Sequence, residues 1–372
     1  MTDTSAHAGE RRAWGWLAHL REGGSTSWQD WDGAGVEGGP ALPGAQQLEL
    51  VRRLNAAGRP SPALVDRALT ASAPGRGRPD LELVGAAAPS RFGPPPVDPG
   101  ELSDDELLRV AAALLADDLV AAGVPAPRRP RVVRPWRTRY RLVGDPWLAD
   151  PLRSELVARG RPPGGRGSVV LVSGTALDKM LEHAWIARAF SVGAPGWREW
   201  LDGLARRNRV APSVDLLHTA RTWSDRVGTD RVRIVLDQKA VPGLVGVRRG
   251  LPPPPDLAAD AVDVARRVAN VLGLLVVPPA REALLRETLL PRLREVTGER
   301  LAVPPEHAEW VRRRAERMRD GLLRAGYAVV GDPDLLLPRG SSAAATVPSD
   351  AGALALAVRL LLDEDRKGGT TR

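Results

Sequence analysis

The sequence predicts an α/β protein, with a parallel sheet interleaved with helices over residues 140–338 and a helical region before it. Three observations carry this prediction. After residue 140, strand-like apolar runs alternate with helical periodicity, the order expected of βαβ units. One of those runs, Val169–Val172, is apolar at every position, as a strand covered on both faces should be. The first 125 residues, in contrast, hold only helical patterns separated by breakers, with 11 basic and 17 acidic side chains.

In that first region Trp14, Leu17 and Leu20 recur at helical spacing, and the Gly-Gly pair at 23–24 ends the helix. Gln46–Ala57 places Leu48, Val51 and Leu54 on one face and stops at Gly58. Ser61-Pro62 opens a third helix, with an N-cap followed by proline at the first helical position. Residues 72–99 are rich in Pro, Gly and Ala and predict a loop. Ser103 and Glu106 have the spacing of a capping box, and the helix they open runs to Gly123. A linker follows at 126–139, with seven arginines and no acid over residues 128–141. Beyond it the sequence predicts strands at Tyr140–Val143, Val169–Val172, Val232–Leu236 and Ala328–Val330. Between them lie helices from Asp145 to about Gly160, Thr175–Phe190, Trp197–Arg207 and Val214–Arg226. After the four prolines at 252–255 come Leu257–Leu272, Arg281–Val296 and Pro305–Ala325. Residues 339–372 form a small-residue linker and a last apolar helix, Ala351–Leu362.

A chain of 372 residues with 43% hydrophobic side chains has material for two domains with cores. The formal charge is +8, yet 50 of the 53 basic residues are arginine, the bias of a GC-rich genome rather than a mark of nucleic-acid binding. The sign is divided along the chain: net −6 over 1–125 and net +14 over 126–372. There is no cysteine, which excludes disulfides, thiolate metal sites and cysteine nucleophiles. No apolar run approaches the roughly 18 residues a membrane helix needs, and the N-terminal residues lack a secretory apolar core. The expected location is the cytoplasm.

The five histidines, His7, His19, His183, His218 and His307, form no i,i+4 pair, and no metal site is expected. No Gly-x-Ser-x-Gly elbow is present. Strand-to-helix turns are natural anion sites, but the first of them, Gly144-Asp145-Pro146-Trp147, offers one glycine, no lysine, no hydroxyl and a carboxylate that repels phosphate. The second, Ser173-Gly174-Thr175, has two hydroxyls with Lys179 one turn on, although Thr175 suits an ordinary N-cap better. Arg137, Arg139 and Arg141 alternate as on the solvent edge of a strand, and the arginine cluster reads as a solvated linker. Trp14, Trp16, Trp28 and Trp31 read as packing residues of the helical region rather than a stacking box.

Over about half of the chain the order of features resembles the sulfotransferase family, specifically bacterial sulfotransferase-like proteins of P-loop NTPase-like fold. The stretch Val170–Trp185, with Leu177, Leu181 and Trp185 on its helix, resembles their second nucleotide-contact region. Trp197–Leu204 is similar to their aromatic helix, and Trp223 with Thr229–Val235 to their next helix and strand. Pro304–Trp310 and Ala325–Asp332 resemble their closing segment. The resemblance implies a three-layer parallel sheet with helices on both faces. It also implies a site for phosphoadenosine phosphosulfate, held in the family by a Lys and Ser/Thr in the first loop and an Arg and Ser near the second strand.

This sequence departs from that pattern at the donor site. Asp145, Pro146 and Trp147 fill the first loop, Thr175 stands for the family Arg, and Arg188 for the Ser. Each lost charge-assisted hydrogen bond removes about 1.5–3 kcal/mol. The function expected is therefore that of a non-catalytic sulfotransferase-like protein that acts by binding, without a cofactor, on a protein or glycan partner. Gly144, Thr175, Lys179 and Arg188 are its candidate ligand-binding residues. The alternatives are an active sulfotransferase with a rearranged donor site, in which His183 or His218 is the general base, and a nucleic-acid or acidic-surface binder that uses the +14 region.

Overall fold

The computed structural model describes residues 2–39, 41–72, 79–86, 94–126, 140–165, 167–247, 251, 253–339 and 346–369. Its elements run in the order α1 Thr2–Arg21, α2 Ala45–Ala57, α3 Pro62–Thr70, α4 Asp104–Ala122, β1 Tyr140–Gly144, α5 Pro146–Ala158, β2 Val169–Ser173, α6 Leu177–Ala189 and α7 Trp197–Arg206. They continue with α8 Leu216–Val227, β3 Val232–Val235, α9 Val241–Leu244, α10 Ala259–Leu275, α11 Pro278–Ala283, α12 Leu290–Leu293, α13 Pro305–Arg324, β4 Ala328–Val330 and α14 Asp350–Gly369. The fold is α/β and mostly helical, with one small sheet. Among the described residues no helix is long and apolar enough to cross a membrane.

Most of these elements follow the sequence pattern, and the departures have local causes. Arg281–Val296 is not one helix: a π-helical stretch, Leu284–Leu289, separates α11 from α12. Pro291 has no N–H and its ring crowds the carbonyl four residues back, so the regular helical ladder cannot pass through it. At α4, Ser103 is the N-cap residue but its side chain makes no cap hydrogen bond, and Glu106 pairs with Arg109. The capping box does not form.

The chain makes two compact units. The first comprises Met1–Gly123, Asp263–Leu284 and Ser349–Arg372; the second comprises Val124–Val262 and Leu285–Pro348. The C-terminal helix thus belongs with the N-terminal helices. In the first unit α4 buries Leu107, Leu108, Val110, Leu114, Leu115 and Leu119, and α14 packs along it with Leu354, Ala357, Val358 and Leu361. Ser61 caps α3 by accepting from the Leu64 N–H, and both its own N–H and its hydroxyl donate to Asp365 of α14. In α1, the Arg12 guanidinium lies 4.0 Å above the Trp28 ring and donates to the carbonyls of Trp28 and Trp31. Trp16 packs against Trp28 at 5.4 Å.

In the second unit the sheet is fully parallel, in the order β1-β2-β3-β4. Leu142 is in register with Leu171, and Leu171 with Arg233. Tyr140, Leu142, Leu171 and Val235 share a core with Ala149, Leu152 and Leu156 of α5 and with Val241 and Val245. Strand side chains alternate between faces, so Val170, Val172, Val232 and Ile234, all buried, belong to the opposite face. Arg141, in register with Val170, shares that face and lies over the Trp223 ring of α8.

One side chain fastens three helices of the first unit. Arg267 of α10, 14% exposed, donates to Asp263 of the same helix, to Asp105 of α4 at 2.6 Å and to Asp350 of α14 at 2.5 Å. Removing it leaves a buried Asp263 carboxylate short of its counter-charge. Arg267→Ala is expected to destabilise this unit by about 2–4 kcal/mol. Urea unfolding followed by tryptophan fluorescence measures it.

Candidate functional site

The C-terminal edge of the parallel sheet is where α/β proteins gather reactive groups, and in this chain it is built around Asp145. Gly144 ends β1 at φ +103°, and a Cβ there would stand 2.2 Å from the Ser173 carbonyl oxygen, so only glycine makes this turn. The Asp145 N–H donates to that same carbonyl at 2.9 Å, which carries the β1–β2 pairing one residue past the strands. Pro146 begins α5. The Asp145 carboxylate is fully buried; Oδ1 accepts from the Trp147 and Leu148 N–H groups at 3.0 and 3.3 Å. Its other oxygen, Oδ2, lies 2.6 Å from Nδ1 of His183 on α6.

Where the Asp145 carboxylate accepts in this bond, His183 Nδ1–H donates, and in the neutral ring Nε2 is then the acceptor nitrogen. Nε2 has no hydrogen-bond partner among the described residues, and the side chain is 17% exposed. Beside this pair the strand ends are closed by their own bonds. The buried Ser173 hydroxyl donates to Gln238 Oε1 at 2.9 Å, while Gln238 Nε2 donates to the carbonyls of Gly174 and Val235.

The four candidate ligand residues each have a local setting. Gly144 serves the turn. Thr175 is half-buried and does not cap α6: the N-cap residue is Ala176, with no side-chain cap bond. The helix starts one residue later than the Ser173-Gly174-Thr175 pattern suggests, which moves the threonine hydroxyl off the first turn. Lys179 is 49% exposed and pairs with Glu182 at 2.8 Å. Arg188, exposed in the last turn of α6, lies about 14 Å along the axis from Lys179, nine residues at 1.5 Å each. His218 is exposed on α8. Of the arginine cluster, Arg128, Arg129, Arg131, Arg134, Arg137 and Arg139 lie outside the described residues.

Sequence reasoning found the Asp145 cap because Asp-Pro after a strand is a local signal. It missed the His183–Asp145 pair, whose members are 38 positions apart, and it missed Gln238. Among the described residues no three His, Asp or Glu side chains could hold a metal ion. No family model matches the chain, nor does any curated protein or solved structure.

Glu182 gives the edge a pH-sensitive component. Burial pushes its carboxyl up to about 7, an effect that the hydrogen bond from Lys179 only partly offsets. Between its ordinary value of 4.5 and about 7, the folded chain holds a proton that the unfolded chain has released. The stability from this group is complete below the lower value and is lost as pH rises through the upper one. Glu182→Gln, which stays neutral, should gain stability relative to wild type steadily from pH 5 to 7 and level off above. Denaturation midpoints of the two proteins across pH 5–8 check this.

Proposed function

We propose that this protein works by binding rather than by catalysis, on an α/β unit of sulfotransferase-like type whose donor position is taken by its own Asp145. The observation that carries the reading is the fully buried Asp145 carboxylate on the first N–H groups of α5. A phosphate loop needs those donors for its ligand. A second negative charge about 4 Å away meets a repulsion of about 4 kcal/mol at an effective dielectric constant near 20. That exceeds the 1.5–3 kcal/mol or so that one charge-assisted hydrogen bond returns. A three-layer order, with helices on both faces of the sheet, is the architecture this reading implies; α5 on one face and the Arg141–Trp223 contact on the other support it. The partner is a protein or a glycan.

Calorimetric titration of the full chain with phosphoadenosine phosphate tests the proposal. No saturable binding is expected, and micromolar binding would overturn it. Asp145→Gly should lower stability by about 0.5–2 kcal/mol through loss of the cap. It should leave nucleotide binding absent, since no lysine or hydroxyl replaces the missing donors.

A second reading is favoured by one observation, the His183–Asp145 pair with its unpartnered Nε2. A histidine oriented by a carboxylate is suited to take a proton from an acceptor hydroxyl. This would be the machinery of a transferase that uses phosphoadenosine phosphosulfate through a rearranged site. Labelled sulfate transfer to sugar and phenol acceptors decides between the two. Turnover that falls at least about a hundredfold in His183→Gln would establish the transferase; no turnover by folded wild type leaves the binding role.

A further inference from the structure

The first unit holds a cavity of about 380 Å³, walled by Glu10 of α1, residues 41–44, Gln47 of α2, the end of α3 and the segment Asp80–Leu83 with Ala86. Its size falls in the range of small-molecule sites. The floor is apolar: Leu69, Leu83 and Ala86 are buried, and Leu42 and Leu81 are half-buried. The charge on the wall has one sign. Glu10, Asp80 and Glu82 contribute three carboxylates, and no Lys, Arg or His is among the described residues that line the cavity. None of the three has an ion pair among the described residues. Elsewhere this unit compensates its carboxylates closely, as where Arg52 and Arg53 both bond the buried Glu49.

Gln47 is a second observation, independent of the carboxylates. It lines the cavity and is 1% exposed. Its Nε2 donates to the Ala71 carbonyl at 2.8 Å, but Oε1 is buried and accepts from nothing among the described residues. Leaving such an acceptor empty costs about 1–3 kcal/mol. An incoming N–H donor removes that cost. Gly44 marks the place: a Cβ on it would stand 2.5 Å from Gln47 Oε1, 2.9 Å from Asp80 Cβ and 3.1 Å from Gln46 Oε1. The Gln46 oxygen is already engaged by the Leu81 N–H, which leaves Gln47 Oε1 as the open acceptor.

We propose that this cavity binds a small organic cation, a primary amine carried on an apolar body. The apolar floor takes the body, the carboxylates supply the counter-charge, and Gln47 Oε1 accepts from the nitrogen. Like-signed carboxylates around a low-dielectric cavity raise the local concentration of such a cation, and added salt weakens the effect. The site lies wholly in the first unit and does not depend on whether the sheet edge of the second is catalytic.

The test is calorimetric titration of the full chain at low salt with tryptamine, phenethylamine and, as the anionic counterpart, indole-3-acetate. Saturable one-site binding of the amines is expected, weakened by salt, with no binding of indole-3-acetate. Asp80→Asn and Glu82→Gln alter exposed side chains, so they leave the fold intact; each should weaken amine binding by about fivefold, the equivalent of about 1 kcal/mol of surface ion pairing. Gly44→Ala keeps its backbone angles, φ −66° and ψ 158°, places a methyl against Gln47, and should abolish binding with an unchanged circular dichroism spectrum. The proposal is overturned if neither amine binds at millimolar concentration or if indole-3-acetate binds as tightly. It is overturned equally if both carboxylate variants bind the amines as wild type does.

Discussion

A single buried carboxylate, that of Asp145, sets the geometry of the sheet's C-terminal edge. A charge removed from water is tolerated only when its lone pairs are used, and here each oxygen has a task. One oxygen starts α5 and the other fixes His183, while the backbone N–H of the same residue prolongs the β1–β2 ladder. The left-handed turn at Gly144 delivers the residue to this point. Three elements that follow one another in the chain are thereby locked at one atom group. The first N–H groups of α5 are thus occupied from within.

The first unit applies the same rule to its most buried ion pairs. Glu49 is met by two arginines of its own helix, and Arg267 by three aspartates. The cavity beside α2 is the contrasting case, with carboxylates of one sign and an amide oxygen that lacks a donor.

The fold was largely legible in the sequence because its signals are local. The four strands were foreseen to within a residue or two at their ends, since each is a short apolar run between breakers, and Ser61, Gly123 and Pro146 mark helix ends by their own backbone chemistry. What stayed hidden depends on distant residues. Gln46 and Gln47 look like the polar face of an amphipathic helix, yet both are buried because segments some 25–35 positions away supply their partners. His183 gives no local sign that it faces Asp145. Thr175 has the right chemistry for a cap, but the helix begins one residue too late for it to act.

The composition of the first unit bears on the order in which the molecule can be made. Its core needs α4 and α14, and α3 is tied to α14 through Ser61 and Asp365, residues 304 positions apart. A ribosome presents α1 to α4 long before α14 exists, while the parallel sheet is complete once β4 emerges. The part of α4 that α14 covers must therefore wait through the synthesis of more than 200 residues, and the unit that is synthesised first is the one that closes last.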